Sequence, residues 1–216
     1  MYREIFERQI YYFEAHTSTP YIIDGGANIG LGVVYFKKLY PQSEIVAFEP
    51  DPHIFRVLER NVSGFSGITL QRQALWTEET LLPFKAEGSW GGRLSDSSGP
   101  DKIIVSATKL SNYLCRPVDL LKLDIEGAET EVLSDCEPYL GNIARIFVEY
   151  HSFAAQPQTI HIVTKILANA GFRMQIHPQA TLHRPFAKTN TRREMDLQLN
   201  IFGFREDRSP EFRSAQ

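Results

Sequence analysis

The sequence predicts an α/β fold: a seven-stranded, mostly parallel sheet with helices on both faces. Three runs of mostly apolar residues lead to this prediction, because each is typical of a strand and each is followed by an acidic residue. These runs are residues 21–23 before Asp24, 44–48 before Glu49, and 118–123 before Asp124. Parallel strands present their carboxyl ends along one edge of a sheet, so we expect the three acids to face one crevice.

The first half of the chain alternates strands and helices. Apolar residues at helical spacing predict an N-terminal helix within residues 1–18, packed on the sheet or covering a ligand. Residues 29–40 predict a second helix, and Asp51 is placed to cap a third that ends near Val62. Residues 68–75 predict the third strand.

The second half resumes the pattern after an insertion at residues 77–108. A short helix is predicted near residues 108–114, a further helix at 129–136 and a fifth strand at 143–149. A helix at 160–170 and a strand at 172–176 follow, and the alternating residues 197–204 predict a last strand. We expect one domain over residues 1–216, because no linker interrupts the pattern.

The turn after the first strand carries the pattern acid-x-Gly-x-x-x-Gly, which differs from the Gly-x-Gly-x-x-Gly of dinucleotide-binding turns. Glycines let the backbone approach a ligand closely. An acid at the strand tip suits a cationic ligand, such as the amino group and sulfonium of S-adenosylmethionine (SAM). The expected cofactor-binding residues of this turn are Asp24, Gly25, Gly26, Asn28 and Gly30.

The second and third strands add further expected contacts to a nucleoside cofactor. An acid at the end of the second strand, here Glu49 before Pro50, hydrogen-bonds ribose hydroxyls in nucleoside-binding α/β folds. Gln73 and Ala74 follow the third strand and are expected beside the adenine. NAD is the competing cofactor, which would make the chain an oxidoreductase. The acid at position 24 disfavours NAD.

A second group of acids follows the fourth strand, at Asp124, Glu126 and Glu129. Clustered carboxylates can bind a divalent metal, accept a proton or fix a sulfonium. Glu126 and Glu129 alternatively stabilise the helix N-terminus through the macrodipole. His151 is expected near the end of the fifth strand, where its ordinary pKa near neutrality suits a general base oriented by Glu149.

Residues 122–129, Lys-Leu-Asp-Ile-Glu-Gly-Ala-Glu, resemble the signature of FkbM-family methyltransferases. The loop at residues 24–30 and the segments 48–50 and 147–151 match the same family in order. The resemblance implies a Rossmann-like class I methyltransferase fold and SAM-dependent O-methylation of a hydroxyl on a sugar, polyketide or similar natural product. The resemblance also implies an antiparallel last strand. It further implies that Asp24, Gly26, Asn28, Gly30 and Glu49 hold the cofactor and that Asp124 and Glu126 border the transfer site. Asp124 is expected to contact the cofactor as well.

The acceptor and other partners are less defined by the sequence. Trp90 and Arg93, in the insertion, and Glu149 are expected to contact the acceptor. No metal is expected to be required, although Mg²⁺ bound by the acids is the open alternative. A non-catalytic SAM-binding protein is a further alternative, disfavoured by the intact Asp124, Glu126 and His151.

The composition excludes several classes of protein. The net charge of −3 provides no basic surface for nucleic acid, and no apolar stretch reaches the length of a membrane span. The first residues, Met1 to Glu4, lack an apolar signal core. Cys115 and Cys136 form no disulfide framework. We therefore expect a cytoplasmic protein with a small-molecule partner.

Overall fold

The computed structural model describes residues 1–86, 92–94, 102–179, 186–187 and 195–205. The strands are β1 (Tyr21–Gly25), β2 (Glu44–Phe48), β3 (Ile68–Gln71), β4 (Ala74–Trp76), β5 (Thr80–Ala86), β6 (Gly92–Leu94), β7 (Lys102–Lys109), β8 (Leu120–Leu123), β9 (Arg145–Phe153), β10 (Arg173–Pro178) and β11 (Met195–Phe204). The α-helices are α1 (Leu31–Leu39), α2 (Pro52–Val62), α3 (Glu129–Cys136) and α4 (Ile160–Asn169), and Leu110–Tyr113 and Glu137–Asn142 are 3₁₀ helices.

Seven strands form the main sheet in the order β10-β11-β9-β8-β1-β2-β3. β1 pairs in parallel with β2 and β8, β8 with β9, and β2 with β3. β11 runs antiparallel to both of its neighbours, β9 and β10. The predicted fold class, a mostly parallel seven-stranded sheet with an antiparallel last strand, is therefore confirmed.

Two apolar cores cover the two faces of this sheet. Adjacent residues on β1 show the division, because Ile22 packs with α1 and α2 while Ile23 packs with α3 and α4. Strand side chains alternate between faces, so one short apolar run supplies both cores. The cap of α2 is formed as predicted: the Asp51 carboxylate accepts hydrogen bonds from the backbone N–H groups of His53 and Ile54.

The predicted third strand is two strands in two different sheets. β3 pairs with β2 at the edge of the main sheet, while β4 pairs with β7 in a second sheet of order β4-β7-β5-β6. Most of the described residues of the insertion at residues 77–108 therefore belong to strands. Phe84 of β5 lies beside the residues that follow the carboxyl ends of β1, β2 and β8. The sequence pattern of residues 68–75 did not reveal this change of sheet, because a strand-like pattern continues through both β3 and β4.

The predicted N-terminal helix is much shorter than residues 1–18. One π-helical turn spans Arg3–Glu7, and the backbone at Gln9 has a φ of 53°, which a right-handed helix does not accommodate. The segment nevertheless covers the main sheet, because Ile5, Tyr11 and Phe13 are buried in the core beside α1. The apolar spacing therefore came from packing on the sheet rather than from a continuous helix.

Candidate active site

A cavity of about 550 Å³, including its part open to solvent, lies at the carboxyl ends of β1, β2 and β8. Its lining combines apolar side chains with a few polar groups, as is typical of a small-molecule or cofactor site. Seven residues expected from the sequence line it: Gly26, Asn28, Glu49, Pro50, Gln73, Ala74 and Asp124. Glu126, expected at the transfer site, also lines the cavity. The parallel arrangement thus brings together polar residues from four separate segments of the chain.

The wall also contains five residues that sequence reasoning missed: Phe48, Leu75, Phe84, Ile125 and Ala128. Three of them adjoin predicted residues, and this position was the available signal: Phe48 precedes Glu49, Leu75 follows Ala74 and Ile125 follows Asp124. Ala128 lies two positions after Glu126, in the same loop. Phe84 lies on β5 of the second sheet and had no such signal. Leu75 and Phe84 supply apolar surface suited to the flat face of a nucleobase.

Gly26 lines the cavity, and its backbone position accommodates only glycine. Its φ is +75°, and a Cβ there would lie 1.8 Å from the backbone carbonyl oxygen of Asp124. Gly25 and Gly30 do not line the cavity: a Cβ at these positions would meet Leu75 and Leu58, respectively, at 2.7 Å. These two expected cofactor residues therefore allow close packing beneath the turn.

Glu49, directly after β2, contacts the backbone of the glycine turn. Its carboxylate accepts hydrogen bonds from the backbone N–H groups of Asn28, at 3.0 Å, and Asp51, at 2.9 Å. Burial raises the pKa of Glu49 to about 7, against the opposing effect of these hydrogen bonds. A carboxylate so placed can also accept hydrogen bonds from a ligand's hydroxyl groups, provided that it is ionised.

Asp24 lies behind the turn and is not part of the cavity wall. It is fully buried, and Lys122 Nζ is 3.0 Å from its Oδ1. Neither Asp24 oxygen has an aligned hydrogen-bond donor among the described residues, so the contact is chiefly an ion pair. This geometry contradicts the expected direct contact between Asp24 and the cofactor. Instead, the charge of Asp24 is neutralised by Lys122 of β8.

Lys122 links this ion pair to the turn itself. Its ammonium donates to the backbone carbonyls of Gly25 and Gly26, at 3.2 and 3.0 Å, and lies 3.7 Å from Asp124. Burial alone lowers the pKa of Lys122, but the charges of Asp24 and Asp124 outweigh burial and raise it. The lysine is therefore charged at neutral pH and holds the glycine turn against β8.

His151 lies beside this end of the cavity, inside β9 rather than at its end. The imidazole is buried, and its Nε2 is 3.6 Å from Glu126, 3.7 Å from Glu149 and 4.0 Å from Asp124. Its Nδ1 is 3.1 Å from Glu129 Oε1. The expectation that Glu149 orients the ring is wrong, because Glu129 makes the Nδ1 contact.

The surroundings of His151 favour its protonated form in the ligand-free protein. Burial lowers the pKa of the imidazole, but the charge and hydrogen bond of Glu129, followed by the charges of Asp124 and Glu126, raise it to about 10. This value replaces the near-neutral pKa expected from the residue type. His151 acts as a proton acceptor only where these carboxylates are neutralised or the pH is high.

Glu149 and Gln198 complete the polar group on this part of the sheet. Burial and then the charge of Asp124 raise the pKa of Glu149 to about 7. Gln198 on β11 donates from Nε2 to Glu149 at 2.6 Å and lies 3.4 Å from His151 Nε2. The antiparallel pairing of β11 with β9 places Gln198 opposite His151, a contact that no local pattern in the sequence indicates.

Trp90 and Arg93 are the two residues of the insertion that were expected to contact the acceptor. Arg93 is in β6, paired with Lys85 of β5, and its side chain is not among the described parts of the chain. Trp90 lies outside the described residues. Their contact with an acceptor stays a prediction.

The residues of the cavity fit a SAM-like cofactor in shape and in charge. Gly26 and Asn28 line the cavity from the turn, Glu49 faces the rim, and Leu75 and Phe84 provide an apolar wall. Asp124 and Glu126 place carboxylates on the same wall, where their charge would favour a sulfonium. One ligand atom each from Asp124, Glu126 and His151 lies within 4.8 Å of the others, so the same group is also compact enough for a divalent cation.

Replacing Glu49 with glutamine is expected to weaken SAM binding about ten- to a hundredfold, because hydrogen bonds involving a charged group are worth about 1.5–3 kcal/mol. Since the pKa of Glu49 is raised to about 7, wild-type affinity should fall as the pH drops below 7 and the carboxyl becomes neutral. Calorimetry at pH 6 and pH 8 measures both effects. The exposed Glu59→Gln on α2 is the control; equal SAM affinity in Glu49→Gln and wild type contradicts the assignment.

The strand order and the cavity define a Rossmann-like fold of the methyltransferase class. The methyltransferase FkbM domain matches residues 24–174, and the chain belongs to this family. It is 33% identical over 172 residues to "Methyltransferase sdnD" of Sordaria araneosa, covering 62% of the chain and 66% of that protein. It is 30% identical over 161 residues to "Methyltransferase 1" of Beauveria bassiana, covering 62% and 65%. The chain thus spans slightly less than two thirds of the length of these relatives.

A more distant relative is "2-O-methyltransferase NoeI" of Sinorhizobium fredii, 24% identical over 153 residues, which cover 61% of the chain and 63% of that protein. Among solved structures, the FkbM methyltransferase of Methylobacillus flagellatus superposes with a TM-score of 0.57 at 13% identity, over 91% of this chain and 46% of that one. The N-terminal domain of EvdMO1, with SAH bound, gives 0.52 at 12% identity, over 93% and 80%. These structures show the shared fold.

No helix in the described ranges combines the length and the apolar character that a membrane crossing needs.

Proposed function

We propose that this protein is a SAM-dependent O-methyltransferase that acts on a hydroxyl group of a small molecule, such as a sugar, polyketide or related natural product. The observation that carries the proposal is the cavity at the strand ends, where the Gly26 turn and Glu49 adjoin Asp124 and Glu126, with His151 beside them. Family membership supports methyl transfer, and the name of the NoeI relative supports oxygen as the acceptor atom.

Each part of the cavity has a distinct role in this proposal. The cofactor, when bound, supplies an electrophilic methyl group on a sulfonium. Glu49 accepts hydrogen bonds from ribose hydroxyls, and Leu75 and Phe84 contact the base, beside Gln73 and Ala74. Asp124 and Glu126 favour the positive charge electrostatically. These residues therefore hold the methyl carbon at a fixed place, and alignment with the acceptor oxygen provides much of the acceleration.

His151 is the proposed general base for the acceptor hydroxyl. Its Nε2 faces Asp124, Glu126 and Glu149. The charge and hydrogen bond of Glu129, followed by the charges of Asp124 and Glu126, hold a proton on the ring of the ligand-free protein. A positive charge bound at these carboxylates weakens their hold on that proton, which lowers the pKa of His151. A positioned base contributes about 10²–10⁴-fold to a reaction of this kind.

The acceptor is proposed to be a small molecule and not a nucleic acid, and the protein to be cytoplasmic. The formal net charge is −3, and the carboxylates beside His151 would repel phosphates. Trp90, Arg93 and Glu149 remain the proposed acceptor contacts.

Incubation with labelled SAM and a panel of glycosylated and polyketide-like alcohols tests the proposed activity. We expect label on an acceptor oxygen, and calorimetry should show binding of SAM but not of NAD. Binding of NAD in place of SAM would favour an oxidoreductase. SAM binding with no transfer to any alcohol in the panel, and none to an amine or thiol, would favour a non-catalytic SAM-binding protein.

Methyl transfer is expected to continue in EDTA, because the carboxylates near His151 are proposed to serve a sulfonium rather than a required metal. The rate with EDTA should stay within about twofold of the untreated rate. An EDTA-treated sample with added Mg²⁺ is the control. Complete loss of activity in EDTA, restored by Mg²⁺, would assign the group of Asp124, Glu126 and His151 to a metal site.

A further inference from the structure

Glu129 joins three structural elements at one buried carboxylate. Its Oε1 lies 3.1 Å from His151 Nδ1 on β9 and accepts hydrogen bonds from the backbone N–H groups of Ile125, at 3.2 Å, and Gly127, at 3.0 Å. The side chains of Glu129 and His151 are each 1% exposed. One carboxylate thus contacts both the histidine and the loop that carries Asp124 and Glu126.

The loop has little freedom to rearrange around this carboxylate. Glu126 has a φ of 53° and Gly127 a φ of 107°, and a Cβ on Gly127 would lie 2.9 Å from the ring of Phe153. Helix α3 begins at Glu129, so the carboxylate also lies where the helix dipole favours negative charge. The loop, the helix start and β9 are therefore held in one arrangement.

We propose that Glu129 is a positioning residue, which keeps hydrogen on His151 Nδ1 and so reserves Nε2 as the nitrogen that accepts the substrate proton. The hydrogen bond at one nitrogen of an imidazole decides which nitrogen is free to act as base. Nε2 is the nitrogen on the side of Asp124 and Glu126, the two carboxylates of this group that line the cavity. The proposal rests on the proposed methyl transfer and adds the residue that orients its base.

The proton balance of the step follows from this arrangement. The acceptor oxygen forms a bond to the methyl carbon as the carbon–sulfur bond breaks, and its electron pair stays on sulfur. The hydroxyl proton passes to Nε2 while Nδ1 keeps its hydrogen bond to Glu129, so the product is a neutral ether beside an imidazolium. Glu129 keeps its contact with Nδ1 throughout and exchanges no proton.

Nitrogen-15 NMR of the His151 ring tests the positioning role without any cofactor or acceptor. In the wild-type protein at high pH, where the ring is neutral, we expect hydrogen on Nδ1 and a bare Nε2. In Glu129→Gln, the amide can turn its NH₂ toward the ring, so the Nδ1–H form should lose its preference. A neutral wild-type ring that carries hydrogen on Nε2 would overturn the proposal.

Steady-state kinetics provide the second readout. Glu129→Gln is expected to lower kcat about 10- to 100-fold, the loss that follows when the partner that orients a metal-bound histidine is replaced. SAM affinity and the acceptor KM should stay within about threefold of wild type, because Glu129 does not line the cavity. Glu131→Gln, on the exposed side of the same helix, is the matched control and should behave as wild type.

The two readouts separate the possible failures. A normal kcat in folded Glu129→Gln would overturn the proposal even with the expected NMR result. Loss of kcat together with a large loss of SAM affinity would indicate a general disruption of the loop and would also overturn it. If Glu129→Gln does not fold, the wild-type NMR measurement decides alone. Absence of methyl transfer in wild type would refute the proposed function, while the NMR result would still test the orientation of His151.

Discussion

Replacing His151 with alanine is expected to lower kcat by about 10²–10⁴-fold while SAM affinity stays nearly unchanged. The imidazole lies beside Asp124 and Glu126 but does not line the cavity itself, so its loss should affect proton transfer more than cofactor binding. Single-turnover kinetics and calorimetry on the same preparation measure the two quantities. His161→Ala, an exposed position on α4, is the matched control.

The pH profile gives this prediction a second, independent measurement. The wild-type rate should rise with pH as His151 loses its proton, with an apparent pKa between the ordinary histidine value of about 6.5 and the ligand-free value of about 10. In His151→Ala that rise should disappear. A variant with near-normal kcat and an unchanged profile would remove His151 from the mechanism, and Asp124 or Glu126 would become the leading base.

The same titration predicts a change in stability. A histidine whose folded pKa is raised stabilises the protein fully below its unfolded pKa of about 6.5, and this contribution is lost as the pH rises toward about 10. Denaturant unfolding should therefore show falling stability between these pH values. The decline should be smaller in His151→Ala, which has no imidazolium to lose.

The largest stability effect is expected from breaking the ion pair between Asp24 and Lys122. Both side chains are almost completely buried, and removal of one partner from such a pair typically costs about 3–5 kcal/mol, because the other charge is left uncompensated. Lys122→Met and Asp24→Ala should each lower the free energy of unfolding by about that amount. Chemical denaturation at neutral pH measures both.

The double variant distinguishes the ion pair from ordinary loss of packing. Asp24→Ala combined with Lys122→Met should be less destabilised than the sum of the single variants, because it leaves neither of these two charges buried alone. Lys165→Met, at an exposed position of α4, is the matched control for loss of a lysine charge. A Lys122→Met protein within 1 kcal/mol of wild type, or strictly additive single effects, would contradict a structural role for the pair.

The placement of Asp24 shows where local pattern and tertiary contact diverge. The sequence correctly predicted a strand, a glycine turn and a helix around this residue, because apolar runs and glycines report local backbone requirements. The partner of Asp24 comes from β8, 98 positions later in the chain, as the sheet register aligns Asp24 with Lys122. Strand order and register decide such pairs, and neither is visible in the turn itself.

The sequence by itself determined the alternation of strands and helices, the presence of the last strand, the Asp51 cap and the residues Gly26, Glu49 and Asp124 at the strand ends. These features depend on side-chain periodicity and on backbone needs within a few residues. Only the tertiary structure decided the split between β3 and β4, the burial of Asp24 against Lys122, and the contact of Glu129 with His151. Those depend on which distant segments pack together, since burial and charge pairing are properties of the assembled sheet and not of any one segment.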